Sequence, residues 1–226
     1  MKFFLDTASL EEISEAVSWG AVAGVTTNPS LYARIGGRLE DFHEHIKKIC
    51  ALTSGPVSAE VTAPDTDSMI VQGRELAALA ANVAVKIPMT LAGLAATRTL
   101  ADEGIAVNMT LVFSVPQAIL AARAGARYVS PFVGRFDDIG EDGIQQLANI
   151  IDALNNYEFK ADGPNGQEVE VIAASIRNPN HVAQAALLGA DIATVPFDVL
   201  KKSALHPLTT NGLAAFEADW EKVKHA

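Results

Sequence analysis

Short β-rich apolar runs alternate with helix-period stretches along nearly the whole chain. Runs near Lys2–Asp6, Gly24–Asn28, Val57–Val61, Val83–Ile87, Ala106–Val112, Tyr128–Val133, Val169–Ala174 and Ile192–Pro196 read as strands. Helical patterns lie between them at Leu39–Leu52, Asp67–Ala81, Leu91–Asp102, Pro116–Ala124, Gly143–Asn156 and Pro179–Leu188. An earlier helix starts at Ser9-Leu-Glu-Glu12, which has capping-box spacing. A short helix follows Phe197, and a last one is predicted over Leu213–Lys224. Such alternation signals a parallel sheet with crossover helices. Eight units without a linker predict an α/β fold: one (β/α)8 barrel spanning residues 1–226, with the additional C-terminal helix. Residues 161–167, Ala-Asp-Gly-Pro-Asn-Gly-Gln, read as a surface loop or hairpin. Phe216 and Trp220 share one face of the last helix, which either caps its own barrel or packs on a neighbouring subunit.

Side chains alternate across a strand, so parity sorts the strand residues onto two faces. One face carries Phe4 and Asp6, Thr26 and Asn28, Ser58 and Glu60, and Ala84 and Lys86. It continues with Ala106, Asn108 and Thr110, then Tyr128, Ser130 and Phe132, and finally Ala173, Ser175 and Arg177. The opposite face is apolar: Leu5, Val25, Val57, Val61, Val85, Ile87, Val107, Met109, Leu111, Val129 and Val133 among others. Helices would cover the apolar face, leaving the polar one inside the barrel. Its polar groups gather toward the C-terminal strand ends, where this architecture holds its active sites.

Lys86 stands out within Asn82-Val-Ala-Val-Lys-Ile-Pro88. An apolar setting disfavours a charged ammonium, and a neutral amine is a nucleophile toward carbonyls. The competing reading is a strand-end lysine reaching for water. With carboxylates nearby, the amine suits Schiff-base chemistry on a ketone. Asp6 is then the acid/base for breaking a C–C bond, and Glu60, Thr110 and a water are the proton route. Asn28, Asn108 and Ser130 suit the hydroxyls of a short polyol. Asp6 and Glu60 could instead be salt partners of Lys86, Asn28 a cap before Pro29, and Asn108 and Thr110 hydrogen-bonded fillers. Arg135 and Arg177 follow the sixth and seventh strands, where barrels commonly hold phosphate, and Ser175 could add a donor. An ion pair of Arg135 with Asp137 or Asp138 is the alternative.

Composition narrows the partners. The 226 residues are 49% hydrophobic, enough for one large core, and the formal net charge is -10. Nucleic acid and anionic membranes are therefore poor partners, whereas a small anion could bind where arginines outweigh the field. The longest apolar stretch, Ala77 to Ala96, carries Asn82, Lys86 and Pro88, against a membrane helix. A single cysteine, Cys50, fits a reducing compartment, and the absence of a signal-peptide core points to the cytoplasm. The five histidines show no metal-ligand spacing and no dinucleotide fingerprint follows a strand, so neither metal nor cofactor is expected.

Several segments together resemble the transaldolase family in its short bacterial and archaeal branch. They are Phe4-Leu-Asp-Thr-Ala8, Gly24-Val-Thr-Thr-Asn-Pro-Ser30, Val85-Lys-Ile-Pro88, Asn108-Met-Thr-Leu-Val-Phe113, Tyr128-Val-Ser-Pro-Phe-Val-Gly-Arg135 and Ala174-Ser-Ile-Arg177. The resemblance implies a (β/α)8 barrel with Lys86 as Schiff-base residue, Asp6 as acid/base, and Glu60 with Thr110 as relay. It assigns Asn28, Asn108 and Ser130 to a dihydroxyacetone moiety, and Arg135, Ser175 and Arg177 to phosphate. Thr26 and Phe132 complete the expected substrate wall. The implied reaction moves a dihydroxyacetone unit from fructose 6-phosphate or sedoheptulose 7-phosphate to erythrose 4-phosphate or glyceraldehyde 3-phosphate, without a cofactor. It belongs to the non-oxidative pentose phosphate pathway. The branch also implies a homo-oligomer, a pentamer or decamer. Relatives resembling fructose-6-phosphate aldolase, which release free dihydroxyacetone, tend to carry Gln at the position of Glu60 and Tyr at that of Phe132. Both residues here favour transfer. A sugar-phosphate-binding barrel without catalysis is the remaining alternative.

Overall fold

The computed structural model describes residues 1–157, 159 and 168–225. Eight parallel strands close into a barrel in chain order: β1 (Lys2–Asp6), β2 (Val22–Thr26), β3 (Val57–Glu60), β4 (Val83–Pro88), β5 (Val107–Val112), β6 (Tyr128–Pro131), β7 (Glu170–Ala173) and β8 (Ile192–Val195). The crossovers are α1 (Leu10–Ser18), α2 (Pro29–Arg34), α3 (Phe42–Leu52), α4 (Thr66–Ala77), α5 (Leu91–Asp102), α6 (Val115–Arg123), α7 (Val133–Asp137), α8 (Gly143–Asn156) and α9 (Pro179–Leu187). After the last strand come α10 (Phe197–Ser203) and α11 (Pro207–Lys224). The (β/α)8 expectation holds. The loop expected at residues 161–167 lies outside the described residues. No helix among them is long and apolar enough to cross a membrane.

Outward strand residues such as Leu5, Val25, Val85, Val107 and Val129 are fully buried against the helix layer. The Cys50 thiol packs in this layer, and burial pushes its pKa up to about 11. Inside the barrel a second cluster of Phe4, Ala84, Tyr128, Ile172 and Ile192 fills the middle. Gly24 makes room for it: a Cβ there would lie 2.7 Å from the Phe4 ring. At the N-terminal end Glu170 is buried and pairs with Lys2 at 2.5 Å and Arg127 at 2.9 Å. The interior is thus closed below and polar above.

Parity fails in two places, both at left-handed residues. In β7 the inward residues are Glu170 and Ile172, while Val171 and Ala173 pack outward, opposite to the expected phase. Ser175 then adopts φ +58° and breaks the alternation, so Ser175 and Arg177 still reach the interior mouth. Leu111 also has φ +58°, at a register shift between Met109 and Val112, and lines the mouth instead of packing outward. Two short helices were absent from the expected set. Asn28 ends no strand: its side chain accepts from Leu31 N–H and caps α2, with Pro29 at the first position. Phe132 and Val133 likewise leave β6, and Val133 N–H donates to Ala174 C=O at 2.9 Å as α7 begins. The last helix starts at Pro207 rather than Leu213, because His206 caps it.

Candidate active site

The strands deliver their polar ends to one cavity of about 500 Å³ at the C-terminal mouth of the barrel. All twelve residues singled out from the sequence line it. Lys86 is 5% exposed, and its ammonium donates to Thr27 C=O at 3.0 Å and lies 3.1 Å from Glu60 Oε2. Register explains the pair, since Glu60 on β3 is the direct neighbour of Lys86 on β4. The strand-end reading of Lys86 is therefore corrected: the side chain stays inside rather than reaching open water.

Asp6 stands at the end of β1. Its Oδ1 accepts from the Thr26 hydroxyl at 2.7 Å, and that hydroxyl also meets Thr194 Oγ1 at 2.5 Å. Burial pushes the Asp6 carboxyl up, while Lys86, the Thr26 hydrogen bond and Arg34 pull it down; burial prevails. A carboxyl poised this way can both take and return a proton.

Asn108 is fully buried in β5 and tied from both sides. Its amide donates to Ser58 Oγ at 3.0 Å, and Ser130 Oγ donates to its Oδ1 at 2.6 Å. Thr110, on the same face, has a buried hydroxyl with no partner among the described residues. An unsatisfied buried hydroxyl beside a lysine–carboxylate pair suits a proton route. Asn28 caps α2 and lines the cavity as well, so the capping and site readings are compatible.

The charged end of the cavity is built on α7 and the loop after β7. Arg135 lies over the Phe132 ring, 4.9 Å from its centroid, and the Phe113 ring also packs against Phe132, with centroids 5.7 Å apart. The expected competitor, an ion pair of Arg135 with Asp137 or Asp138, does not form. Asp138 pairs with Arg177 at 2.8 Å, and Asp137 with His181 at 3.2 Å. Gly134 packs beneath Arg177: a Cβ there would lie 2.6 Å from Nε and 2.4 Å from Ser175 C=O.

Sequence reasoning missed Arg34 and Thr194, which also line the cavity. Thr194 was within reach, since Ile192, Thr194 and Pro196 alternate along β8. Arg34 was not, because α2 had gone unread.

A family model described as Transaldolase/Fructose-6-phosphate aldolase matches residues 3–226. Among similar proteins, a probable transaldolase of Desulfosudis oleivorans is 54% identical over 224 residues, covering 99% of this chain and 100% of that one. A probable transaldolase of Methanococcus maripaludis strain C5 is 55% identical over 221 residues, covering 98% of each. A thiamine phosphate pyrophosphorylase from Pyrococcus furiosus superposes with a TM-score of 0.58 at 15% identity, over 86% of this chain and 85% of that one. That last likeness concerns the barrel fold alone.

Proposed function

The chain belongs to the transaldolase/fructose-6-phosphate aldolase family, and from that premise we propose that it is a transaldolase working through a Schiff base on Lys86. The observation that carries the reading is the buried Lys86–Glu60 pair at 3.1 Å, inside a cavity that also holds Asp6. Glu60 takes the proton of Lys86, and the free amine attacks C2 of fructose 6-phosphate. The carbinolamine oxygen leaves as water, with protons passed through Glu60, Thr110 and a water molecule. Asp6 then takes the C4 hydroxyl proton as the C3–C4 bond breaks and its electron pair flows into the iminium. Glyceraldehyde 3-phosphate departs, and the dihydroxyacetone enamine stays on Lys86. An acceptor aldehyde, erythrose 4-phosphate, reverses these steps, and Asp6 returns its proton to the new hydroxyl. Hydrolysis frees sedoheptulose 7-phosphate.

Asn28, Asn108 and Ser130 hold the dihydroxyacetone hydroxyls, with Asn108 fixed by its two hydrogen bonds. Arg135, Ser175 and Arg177 hold the phosphate; two guanidinium forks suit a dianion. Thr26 acts through Asp6 as a positioning residue. No group bound to the protein is needed for these steps. We place the reaction in the cytoplasm, in the non-oxidative pentose phosphate pathway, with neither nucleic acid nor membrane as partner. The working form is a homo-oligomer.

Phe132 favours transfer over release. Its ring, in contact with Phe113 and Arg135, offers no hydrogen bond to deliver a proton to the enamine. The test is to incubate fructose 6-phosphate with and without erythrose 4-phosphate and measure sedoheptulose 7-phosphate against free dihydroxyacetone. The wild type makes mainly the former. Phe132→Tyr raises the release-to-transfer ratio, by about tenfold on the usual scale of pocket discrimination. Dominant release by the wild type would make it an aldolase, and no turnover of either kind would leave a sugar-phosphate binder.

A further inference from the structure

We propose that Leu111 helps decide between transfer and release: its left-handed backbone turns an isobutyl group into the cavity wall, where it keeps water from the intermediate on Lys86. The inference rests on the reading above and adds to it a residue that the mechanism does not use.

Among the described residues only two other than glycine have positive φ, Leu111 and Ser175, both at 58°, and both line this cavity. The six glycines with positive φ all lie within three residues of a helix end, the ordinary place for that conformation, and none lines the cavity. Leu111 marks a bulge. Met109 on β5 is registered with Val129 on β6, and Val112 with Pro131, so Thr110 and Leu111 together face a single residue, Ser130. A left-handed bulge residue is ordinarily glycine, because a side chain there crowds its own backbone. Glycine would give the same bend and register without strain. The leucine side chain therefore serves something that the backbone path does not, and strain of this kind gathers at functional sites.

Its place says what it serves. Lys86 and Asn108 are neighbours in register on β4 and β5, and Ser130 on β6 is hydrogen-bonded to Asn108. The dihydroxyacetone unit held by these three residues has β5 as one wall. Leu111 follows Asn108 and Thr110 along that strand, nearer its C-terminal end and the mouth. Phe132, just past β6, is the apolar residue of the adjoining strand end. Once glyceraldehyde 3-phosphate has left, the space it held opens to water. Release then begins when C3 of the enamine takes a proton from water, giving an iminium. Hydroxide adds at C2, the C2–N bond breaks, and the hydroxyl proton passes to nitrogen. Dihydroxyacetone leaves and Lys86 regains its amine, with one water consumed and nothing oxidised or reduced. Transfer instead joins C3 to the acceptor aldehyde. An isobutyl group beside Thr110 takes wall space where a water could stand and has no proton to give, which suppresses the side reaction.

The test gives the intact protein fructose 6-phosphate, with and without erythrose 4-phosphate, and measures free dihydroxyacetone against sedoheptulose 7-phosphate. Leu111→Gly keeps the bend and removes the side chain. It raises the release-to-transfer ratio about tenfold, the usual scale of pocket discrimination, while melting within about 5 °C of wild type. Leu111→Asn, which also tolerates the left-handed region, raises the ratio too and decides the matter should the glycine variant not fold. Leu111→Met keeps an apolar chain and holds the ratio within about twofold of wild type. A ratio unmoved in the Gly and Asn variants, release and transfer falling together, or an equal rise in the Met variant would overturn the proposal. Failure of the underlying reading looks different: the wild type itself would release mainly dihydroxyacetone, or turn over nothing.

Discussion

Lys86 and Asp6 share a cavity but answer to different neighbours. Lys86, on β4, is held by the Thr27 carbonyl, just past β2, and by the Glu60 carboxylate on the adjoining β3. Asp6 is pushed up by burial, with Lys86, Thr26 and Arg34 each opposing. A carboxyl raised in this way stays protonated to a higher pH than a free aspartate. Cleavage needs the carboxylate, so activity is lost as pH falls through that raised value. Removing the Thr26 hydroxyl takes away one of the groups that pull Asp6 down. Thr26→Val therefore moves the acid limb of the kcat/KM profile to higher pH, and Thr26→Ser leaves it near the wild-type position. An unmoved limb in the Val variant would separate Asp6 from that limb. These residues were legible because inward strand positions ordinarily carry Val, Ile or Leu, so polar ones stand out. The Thr26–Thr194 contact was not legible, because it depends on β8 closing against β1, which no local pattern encodes.

At the scale of elements, α7 decides how the charged end of the substrate is met. This single turn carries Arg135 and supports Arg177 through Gly134 and Asp138. A methyl group at Gly134 would press on Ser175 C=O at 2.4 Å and on Arg177 Nε at 2.6 Å, so Arg177 must move. Gly134→Ala should raise KM for fructose 6-phosphate about tenfold while lowering kcat much less, and destabilise the fold by about 1–3 kcal/mol. Steady-state kinetics and thermal melts check both. A fall in kcat with KM unchanged would deny the turn its place in phosphate recognition. Long helices and strands were legible from their periods. The two short helices were not, since a single turn is too brief to show a period. Left-handed Leu111 and Ser175 were equally hidden: each breaks the alternation on which strand phase was judged.

For the whole molecule, α11 remains unexplained by the barrel it follows. None of its residues is buried, and Leu208, Leu213, Phe216, Trp220 and Val223 are exposed. Of the two roles expected for this helix, capping its own barrel is not what it does. Covering these side chains between copies would remove a large apolar surface from water, consistent with the proposed homo-oligomer. Phe216→Asp with Trp220→Asp should shift the sedimentation profile toward smaller species. An unchanged profile would put the interface elsewhere. The barrel itself was legible from eight repeats of one pattern, whereas the destination of α11 depends on a surface beyond one chain.

Every step proposed above depends on a covalent bond between Lys86 and the ketose. Borohydride reduction in the presence of fructose 6-phosphate, followed by peptide mapping, tests it most directly. The expected result is a reduced three-carbon adduct on Lys86, lost in Lys86→Met together with turnover, down to below about one-thousandth of wild type. No adduct, or an adduct on another lysine, under conditions where a known Schiff-base enzyme traps well, would contradict it.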